Sequence, residues 1–233
     1  MHNLKYQWLL LIVLGTSIVQ AQFNGFNMKY EVLDPNTAGK IFHNPQKELI
    51  HPQGQPYVNT QFQWAKIEAV HQKALMRLNA YTSEFEFISP KGDTLVLDKL
   101  SDFSPIEFPE SGSKYVLSTY TLRNGKNYTG YLKELFVDGI YTLYSKDNVT
   151  YYEGKEAKTT LETARPAKYA NAKETYFLKK EKAGVFEFPA NKKQLLNLFP
   201  SQKEALEAYL KTAAINFDVP ADRIKLLHFL ASL

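Results

Sequence analysis

The 233-residue chain contains no cysteine. This absence excludes disulfide bonds, a thiol nucleophile and a cysteine-linked lipid, so stability has to come from a buried apolar core. An excess of one charge is also missing, because 28 lysines and arginines stand against 24 aspartates and glutamates, for a net charge of +4. So small an excess is not typical of a nucleic-acid-binding protein, and we expect no nucleic-acid partner.

Long apolar runs are scarce as well. One such run, residues 8–19, follows Lys5 near the start of the chain and leads into Val19-Gln20-Ala21. Small residues two positions apart, Val19 and Ala21, fit a signal peptidase site, so the sequence predicts a signal peptide over residues 1–21 that is removed before Gln22. An uncleaved anchor is the alternative, but the run is shorter than the roughly 20 residues that span a bilayer. We expect no transmembrane segment in the mature chain.

The common catalytic signatures are absent. The sequence has no H-E-x-x-H, no G-x-S-x-G, no phosphate-binding loop and no dinucleotide-binding glycine fingerprint. His43 and His51 share one polar segment, but neither has a Cys, Asp or Glu neighbour at a spacing typical of metal ligands. We therefore predict a protein that is not an enzyme, with no catalytic residue, no metal and no cofactor.

The central part of the chain, residues 115–152, is rich in β-branched and aromatic residues that alternate with polar ones. Such residues suit the pleated surface of a strand. Three pairs that tolerate positive φ interrupt the pattern at regular intervals: Asn124-Gly125, Asp138-Gly139 and Asp147-Asn148. Two-residue hairpin turns favour such pairs. The sequence therefore predicts four strands joined by three hairpins, an antiparallel meander.

The two faces of this meander follow from the assumed turns. With two-residue loops, Leu117 faces Leu132 and Phe136 faces Tyr141, and because side chains alternate, each strand contributes to both faces. One face is then predicted to carry Leu117, Leu132, Phe136, Tyr141 and Leu143, and the other Tyr120, Tyr131, Leu135, Val137, Ile140 and Tyr144. A three-residue loop would exchange the faces of neighbouring strands. Since both faces are apolar, we expect a sheet that is covered on both sides or curved around a core.

Flanking segments extend the sheet. Upstream, a tight corner is predicted at residues 54–59, strands at 64–70, 74–81, 84–88 and 94–97, and a loop or irregular edge at 101–113. In Glu84-Phe85-Glu86-Phe87 the two carboxylates share one strand face, which we interpret as a solvated face. Downstream, residues 154–173 are predicted to form an exposed excursion, a hairpin or a loose helix broken at Pro166, before two further strands at 174–180 and 185–188.

The last part of the chain changes to helical periodicity. Asn191 is a candidate cap for a short helix that Pro200 ends. Ser201-Gln202-Lys203-Glu204 has the form of a capping box, and Asp218-Val219-Pro220 that of a second helix start. The predicted fold class is α+β: a mainly antiparallel, curved β-sheet with a C-terminal bundle of two to three short helices. The predicted division is a β-rich domain at residues 22–190 and a helical segment at 191–233 that packs on the sheet.

Several of these stretches together resemble an uncharacterised family of exported proteins from Bacteroidota. The resemblance rests on the signal that ends in Ala-Gln, the corner at 54–59, the strand at 84–87, the strands at 130–135 and 139–144, and the helical tail. It implies a location in the cell envelope and no particular activity. The ending Phe229-Leu230-Ala231-Ser232-Leu233 departs from the family pattern. A helical end also favours retention in the periplasm over export across the outer membrane, with peripheral attachment to that membrane as an alternative.

Tyrosine is the one compositional hint at function, with 15 in the chain. Tyrosine is enriched in protein interfaces, and its ring stacks on sugars. Our first hypothesis is a non-enzymatic accessory protein that binds another envelope component, most readily a protein. The second is glycan or lipid binding through a sheet face around Tyr120, Tyr131 and Tyr144. The third and least favoured is a hydrolase that uses Glu84, Glu86 or Asp93.

Overall fold

The computed structural model describes residues 31–33, 41–42, 52–157, 163–181 and 183–233. The predicted signal peptide lies outside these ranges, as do His43 and His51. Within them, twelve strands join in one hydrogen-bonded sheet and three α-helices follow. The strands are β1 (Glu31–Val32), β2 (Ile41–Phe42), β3 (Gln63–Ile67), β4 (Gln72–Asn79), β5 (Glu84–Ile88), β6 (Thr94–Val96), β7 (Ile106–Phe108), β8 (Ser113–Thr121), β9 (Asn127–Asp138), β10 (Tyr141–Tyr152), β11 (Lys168–Lys180) and β12 (Gly184–Glu187). The helices are α1 (Lys192–Leu198), α2 (Lys203–Thr212) and α3 (Pro220–Ala231).

Strands β8 to β12 close into a small barrel. Neighbours in sequence pair antiparallel from β8 to β12, and β12 then returns to pair in parallel with β8, where Val185 lies opposite Tyr120. Because side chains alternate along each strand, every second residue points into the barrel. Its interior is an apolar cluster of Tyr120, Leu132, Tyr144, Phe177 and Val185, bordered by Val116 and Leu122.

The rest of the sheet continues from β8 through β7, β3, β4, β5, β6 and β2, and β1 adds to β4 in parallel. These strands enclose a second apolar cluster. Barrel residues Tyr115 and Tyr131 also belong to it, so it joins the two parts of the sheet. Its other buried members are Leu33, Ala65, Ile67, Ala74, Met76, Leu78, Phe85, Phe87, Leu95, Leu97, Phe103, Ile106 and Phe108.

The three helices pack on the outside of the barrel and form a third cluster with β10 and β11. From the strands it takes Tyr141, Leu143, Tyr176 and Leu178, and from the helices and their connections Phe188, Leu195, Leu196, Phe199, Leu206, Leu226, Leu227 and Leu230. The predicted fold class is therefore confirmed: the protein is α+β, with a mainly antiparallel sheet that curves into a barrel and a short helical bundle at its C-terminal end.

Helix caps follow the predictions in part. Asn191 caps α1, since its Oδ1 accepts a hydrogen bond from the Gln194 amide at 3.0 Å. The other two caps are wrong. Ser201 lies within a 3₁₀ turn (Pro200–Gln202), and α2 begins after it without a side-chain cap. Asp218 forms an ion pair with Lys173, and Val219 occupies the cap position of α3.

The first two hairpins exist, but their registers differ from the prediction. The loop after β8 has three residues, Arg123, Asn124 and Gly125, because Leu122 and Lys126 form the closing backbone hydrogen bond. Gly125 takes the left-handed conformation with φ +79°, as the third residue of such a loop requires. Leu117 therefore faces Tyr131 and not Leu132. After β9, Asp138 faces Tyr141, so the two-residue loop is Gly139-Ile140 and Phe136 faces Leu143.

The third predicted hairpin is wrong. Strand β10 runs through Asp147-Asn148 without turning, and its register against β11 shifts there between Lys146 and Asn148. This is a β-bulge in which two residues of β11, Lys173 and Glu174, lie opposite the single residue Asp147 of β10. The Asn148 side chain stabilises it, because Nδ2 donates to the carbonyl of Lys173 at 2.8 Å and to Oγ1 of Thr175 at 3.0 Å. An amide side chain that favours turns can thus also serve a bulge.

Other segments show smaller differences. Strand β5 has the predicted bounds, and the segment at 101–113, predicted to be a loop or an irregular edge, contains the short strand β7. In the excursion at 154–173, Lys155 and Arg165 exchange two backbone hydrogen bonds of 2.7 and 2.8 Å, which is a hairpin pairing, and β11 begins at Lys168. No helix in the described part of the chain is long and apolar enough to cross a membrane.

Candidate functional site

The three tyrosines predicted to bind a ligand are interior residues. Tyr120, Tyr131 and Tyr144 are 5%, 2% and 4% exposed. Tyr120 and Tyr144 lie inside the barrel, whereas Tyr131 lies in the second cluster on the opposite face of the sheet. The prediction that all three share one face is therefore wrong, because the three-residue loop at 123–125 shifts β9 by one residue against β8 and a one-residue shift exchanges faces.

A different set of tyrosines meets at the surface. Tyr81 follows β4, Tyr151 lies near the end of β10, and Tyr169 lies near the start of β11. Their ring centroids are 5.4 Å apart for Tyr81 and Tyr169, 5.0 Å for Tyr151 and Tyr169, and 6.2 Å for Tyr81 and Tyr151. Tyr81 is 49% exposed and the other two are half-buried. We call this set the tyrosine surface.

The tip of the β4–β5 hairpin positions Tyr81. Asn79, which is buried, accepts hydrogen bonds at Oδ1 from the amides of Tyr81 and Thr82, both at 3.1 Å. Ser83 completes the tip with φ +58°, a left-handed conformation that is uncommon for a residue with a side chain. These hydrogen bonds fix the backbone of Tyr81, and its ring packs against the rings of Tyr151 and Tyr169.

Residues 52–58, which we call the strap, connect the start of β11 to the end of β4 next to the tyrosine surface. At one end Gln53 pairs with Lys168, and the Tyr169 amide donates to the Gln53 carbonyl at 2.8 Å. At the other end the amides of Ala80 and Tyr81 donate to the carbonyl of Pro56. The corner predicted at 54–59 is therefore part of an extended connection, bent at several residues, that links β11 to the end of β4.

Arg77 contacts the strap at Tyr57 and holds it in place. Its guanidinium lies over the Tyr57 ring, with Cζ 3.7 Å from the centroid, and donates to the Tyr57 hydroxyl at 2.8 Å. Nε donates to Glu86 Oε2 at 2.8 Å, and the Glu86 side chain is 2% exposed. A carboxylate that is buried against an arginine is a structural ion pair. The interpretation of Glu84 and Glu86 as a solvated face is therefore wrong for Glu86.

The three acids considered for hydrolysis have different surroundings. Glu86 pairs with Arg77, Glu84 lies 4.0 Å from Lys99, and Asp93 is exposed in the turn at the far end of β5. Two catalytic carboxylates of a glycosidase must both face one substrate bond. Glu86 is buried in its ion pair, and Asp93 lies beyond the opposite end of β5 from Glu84. In the described ranges, no group of three or more His, Cys, Asp or Glu residues is placed to hold a metal ion.

A cleft of about 640 Å³ adjoins the tyrosine surface and shares Tyr151 with it. It lies at the base of the excursion after β10. Its other lining residues are Gly154, Lys155, Glu156, Ala164, Arg165, Pro166 and Ala167. Ligand sites for small molecules fall in the range of about 300–1,000 Å³. The cleft is therefore large enough for a small ligand beside an aromatic surface.

Ionisable groups surround the bulge between β10 and β11: Tyr115 is buried, and Lys146 and Asp147 are half-buried. Burial, followed by the charge of Glu174, raises the pKa of Asp147, and burial lowers the pKa of the neighbouring Lys146. Burial, followed by the charge of Asp147, also raises the pKa of Tyr115. Lys146 donates from Nζ to Asn148 Oδ1 at 3.0 Å. Tyr115 belongs to the cluster that joins the two parts of the sheet, and burial is the largest cause of all three pKa shifts, so we assign these shifts to the packing of the fold.

No family model matches the chain, and it matches neither a curated protein nor a solved structure. Function can therefore be inferred only from the site itself. The tyrosine surface had no sequence signal, because its members are separated by up to 88 positions between Tyr81 and Tyr169 and meet only through the strap and the hairpin tip.

Proposed function

We propose that the protein is a non-enzymatic binding protein of the cell envelope and that its tyrosine surface recognises another protein. The observation that supports this is the contact of three tyrosine rings at the surface, one of them half exposed, on a rigidly bonded support. Tyrosines at the centre of an interface contribute a large share of binding energy, and a rigid support reduces the entropy that binding costs.

The arrangement of the rings favours a protein over a flat sugar. The planes of Tyr81, Tyr151 and Tyr169 are inclined to one another by 50° to 66°, so the three rings do not form one flat platform. A sugar ring stacks best on a flat aromatic face, whereas a protein interface fills an uneven aromatic surface with interdigitating side chains. The partner we propose is accordingly a protein with an apolar surface of matching shape.

The test of this proposal is binding by the tagged mature chain and by its Tyr81→Ala variant. Material captured from the native envelope by each is identified by mass spectrometry, and the captured partner is then titrated in purified form. We expect a stoichiometric protein partner whose affinity falls about tenfold or more in the variant, a loss of about 1.4 kcal/mol. Ile140→Ala is the matched control, because Ile140 is 48% exposed and lies in the β9–β10 turn, at the opposite end of β10 from Tyr151.

Glycan or lipid binding is the second candidate, and the cleft beside Tyr151 is the observation that favours it. This candidate predicts that a panel of envelope glycans and lipids contains a ligand whose binding is lost on Tyr151→Ala. A glycan or lipid ligand, in the absence of any protein partner, would contradict our first proposal. A panel without binders, together with a protein partner, would contradict the second.

For the location we propose export to the periplasm, supported by the apolar run at residues 8–19 and by Val19 and Ala21. The family resemblance to exported proteins of Bacteroidota remains part of the same proposal. Mass spectrometry of the protein isolated from native cells tests it, with a mature chain that begins at Gln22 as the expected result. A chain that retains residues 1–21 in the cytoplasmic fraction would contradict it.

A further inference from the structure

A second cleft, of about 290 Å³, lies on another side of the molecule, between the barrel and α3. Strand β11 contributes one wall with Lys173, Glu174 and Tyr176, and the first turn of α3 contributes Arg223. The remaining lining residues are Arg123, Thr175, Glu187, Phe188, Ala190 and Asp218. The cleft therefore combines three basic and three acidic side chains around two aromatic rings.

Four of these six charges are already matched in pairs. Arg123 Nη2 lies 2.8 Å from Glu187 Oε1, and Lys173 Nζ lies 2.6 Å from Asp218 Oδ1. Each pair spans two elements: the first joins the β8–β9 loop to β12, and the second joins β11 to the segment before α3. The charges that remain in the cleft are those of Arg223 and Glu174.

Arg223 is a buried cation whose donors are not all used. The residue is 5% exposed, and its Nε and Nη1 have no hydrogen-bond partner. Its Cζ lies 3.6 Å from the centroid of the Tyr176 ring and 5.3 Å from that of Phe188. Arg223 also forms a side-chain hydrogen bond with Tyr176 and is attracted by Asp218, but neither these contacts nor stacking satisfies Nε–H and Nη1–H. An unsatisfied buried donor carries a substantial free-energy cost. Such a group in the wall of a cleft is typical of a binding site for an anionic group.

Glu174 is the complementary group. Its Oε2 accepts a hydrogen bond from the Tyr176 hydroxyl at 2.7 Å, and none of the ion pairs around the cleft includes it. The same tyrosine thus carries a guanidinium over its ring and a carboxylate at its hydroxyl. A ligand that lies along Tyr176 meets a cation at one end and an anion at the other.

We infer that this cleft binds a small zwitterion of the α-amino acid class, with the ligand carboxylate on Arg223 and the ligand ammonium on Glu174. Arginine recognises carboxylates through paired, charge-assisted N–H bonds, and a carboxylate accepts the same kind of bond from an ammonium group. The cleft volume of about 290 Å³ restricts the ligand to a small one. This inference goes beyond the proposed partner binding, because it concerns different residues on a different part of the fold.

The probe for this inference is L-alanine, titrated into the ¹⁵N-labelled mature protein and followed by NMR. We expect the Arg223 Nε–H signal and the amides of residues 173–176 to shift together with a single dissociation constant. Acetate and ethylamine each carry one half of the charge pattern, so both are expected to bind at least tenfold more weakly than L-alanine. Acetate or ethylamine binding as tightly as L-alanine would overturn the inference, as would the absence of shifts at Arg223.

Two variants assign the roles of the charged groups. Glu174→Gln keeps an acceptor for the Tyr176 hydroxyl and removes only the charge of an exposed residue, so the fold is retained and the affinity for L-alanine should fall at least tenfold. Glu204→Gln, an exposed position on α2, is the matched control and should bind as the wild type does. Unchanged affinity in Glu174→Gln would overturn the assignment. The role of Arg223 is tested by the shift of its Nε–H signal in the wild type, so the buried arginine need not be substituted.

Discussion

Gly54 lies directly against the backbone carbonyl group of Tyr169. A Cβ atom at Gly54 would collide with that carbonyl oxygen, and the residue also has φ +76°, in the left-handed region. The contact brings the strap of residues 52–58 against the start of β11, next to the tyrosine surface. Two independent reasons, the close approach and the backbone conformation, therefore require glycine at this position.

Substitution of Gly54 measures what that contact contributes. Gly92 has a similar φ of +89° but open space around it, so Gly92→Ala is expected to cost roughly 1–2 kcal/mol from backbone conformation alone. Gly54→Ala carries the same cost and a further 1–3 kcal/mol or so from the collision. Urea unfolding of both variants gives the difference. An equal loss of unfolding free energy in the two variants would show that the close contact of Gly54 with Tyr169 does not affect stability.

The ion pair of Arg77 and Glu86 predicts a structural role for Glu86. Glu86→Ala leaves the guanidinium without its carboxylate and is expected to lower the free energy of unfolding by about 3 kcal/mol. Glu84→Ala on the same strand removes a carboxylate that is 36% exposed and is expected to cost no more than about 1 kcal/mol. Chemical denaturation of both variants provides the comparison. A stable Glu86→Ala protein would contradict the assignment.

Asp147 lies at the bulge, and its raised pKa predicts that a neutral residue at this position stabilises the protein. Because burial, and then the charge of Glu174, raises its pKa, the folded chain holds this proton more tightly than the unfolded chain does. Ionisation at neutral pH therefore costs stability, and Asp147→Asn is expected to raise the melting temperature at pH 7. The gain should vanish at about pH 3, where the carboxyl is protonated in both states. Thermal unfolding at the two pH values is the measurement, with Glu110→Gln at an exposed position as control. A gain equal at both pH values would contradict the electrostatic cause.

The raised pKa of Tyr176 predicts that the protein loses stability at alkaline pH. Burial, followed by its hydrogen bond to Glu174, raises the pKa of Tyr176 to about 12, above the value of about 10 for an unfolded chain. The corresponding stabilisation is complete below pH 10 and is lost as the pH rises from 10 through 12. The ¹³Cζ shift of Tyr176 follows its titration, and Glu174→Gln is expected to lower its pKa. An unchanged titration in that variant would exclude Glu174 as a cause.

Local features of the fold could be predicted from the sequence. Alternation fixes the bounds of β5, and the Asn191 cap marks the start of α1 because the physical cause of each lies within a few residues. Register could not be predicted, because the choice between two- and three-residue loops at Asn124-Gly125 depends on how the strands pack. The same limit explains the misplaced faces of Tyr120 and Tyr131.

Features that depend on contacts between residues distant in sequence could not be predicted. The barrel closes through a pairing of Val185 with Tyr120, and nothing near either residue indicates the other. Asp147-Asn148 favours a turn in isolation, yet the hydrogen bonds of Asn148 to β11 stabilise a bulge instead. The tyrosine surface depends on three segments that meet only after folding. Composition indicated tyrosine as a functional residue type, but not which tyrosines are at the surface.

The central claim is that the tyrosine surface binds a partner protein, and the most direct test is the affinity of the captured, purified partner for the wild type, Tyr81→Ala and Ile140→Ala. Circular dichroism and thermal unfolding first establish that the three proteins are equally folded. We predict that Tyr81→Ala weakens binding at least tenfold and that Ile140→Ala, at an apolar residue of similar exposure at the other end of β10, leaves it unchanged. Equal affinity for all three proteins, or no protein partner at all, would contradict the account.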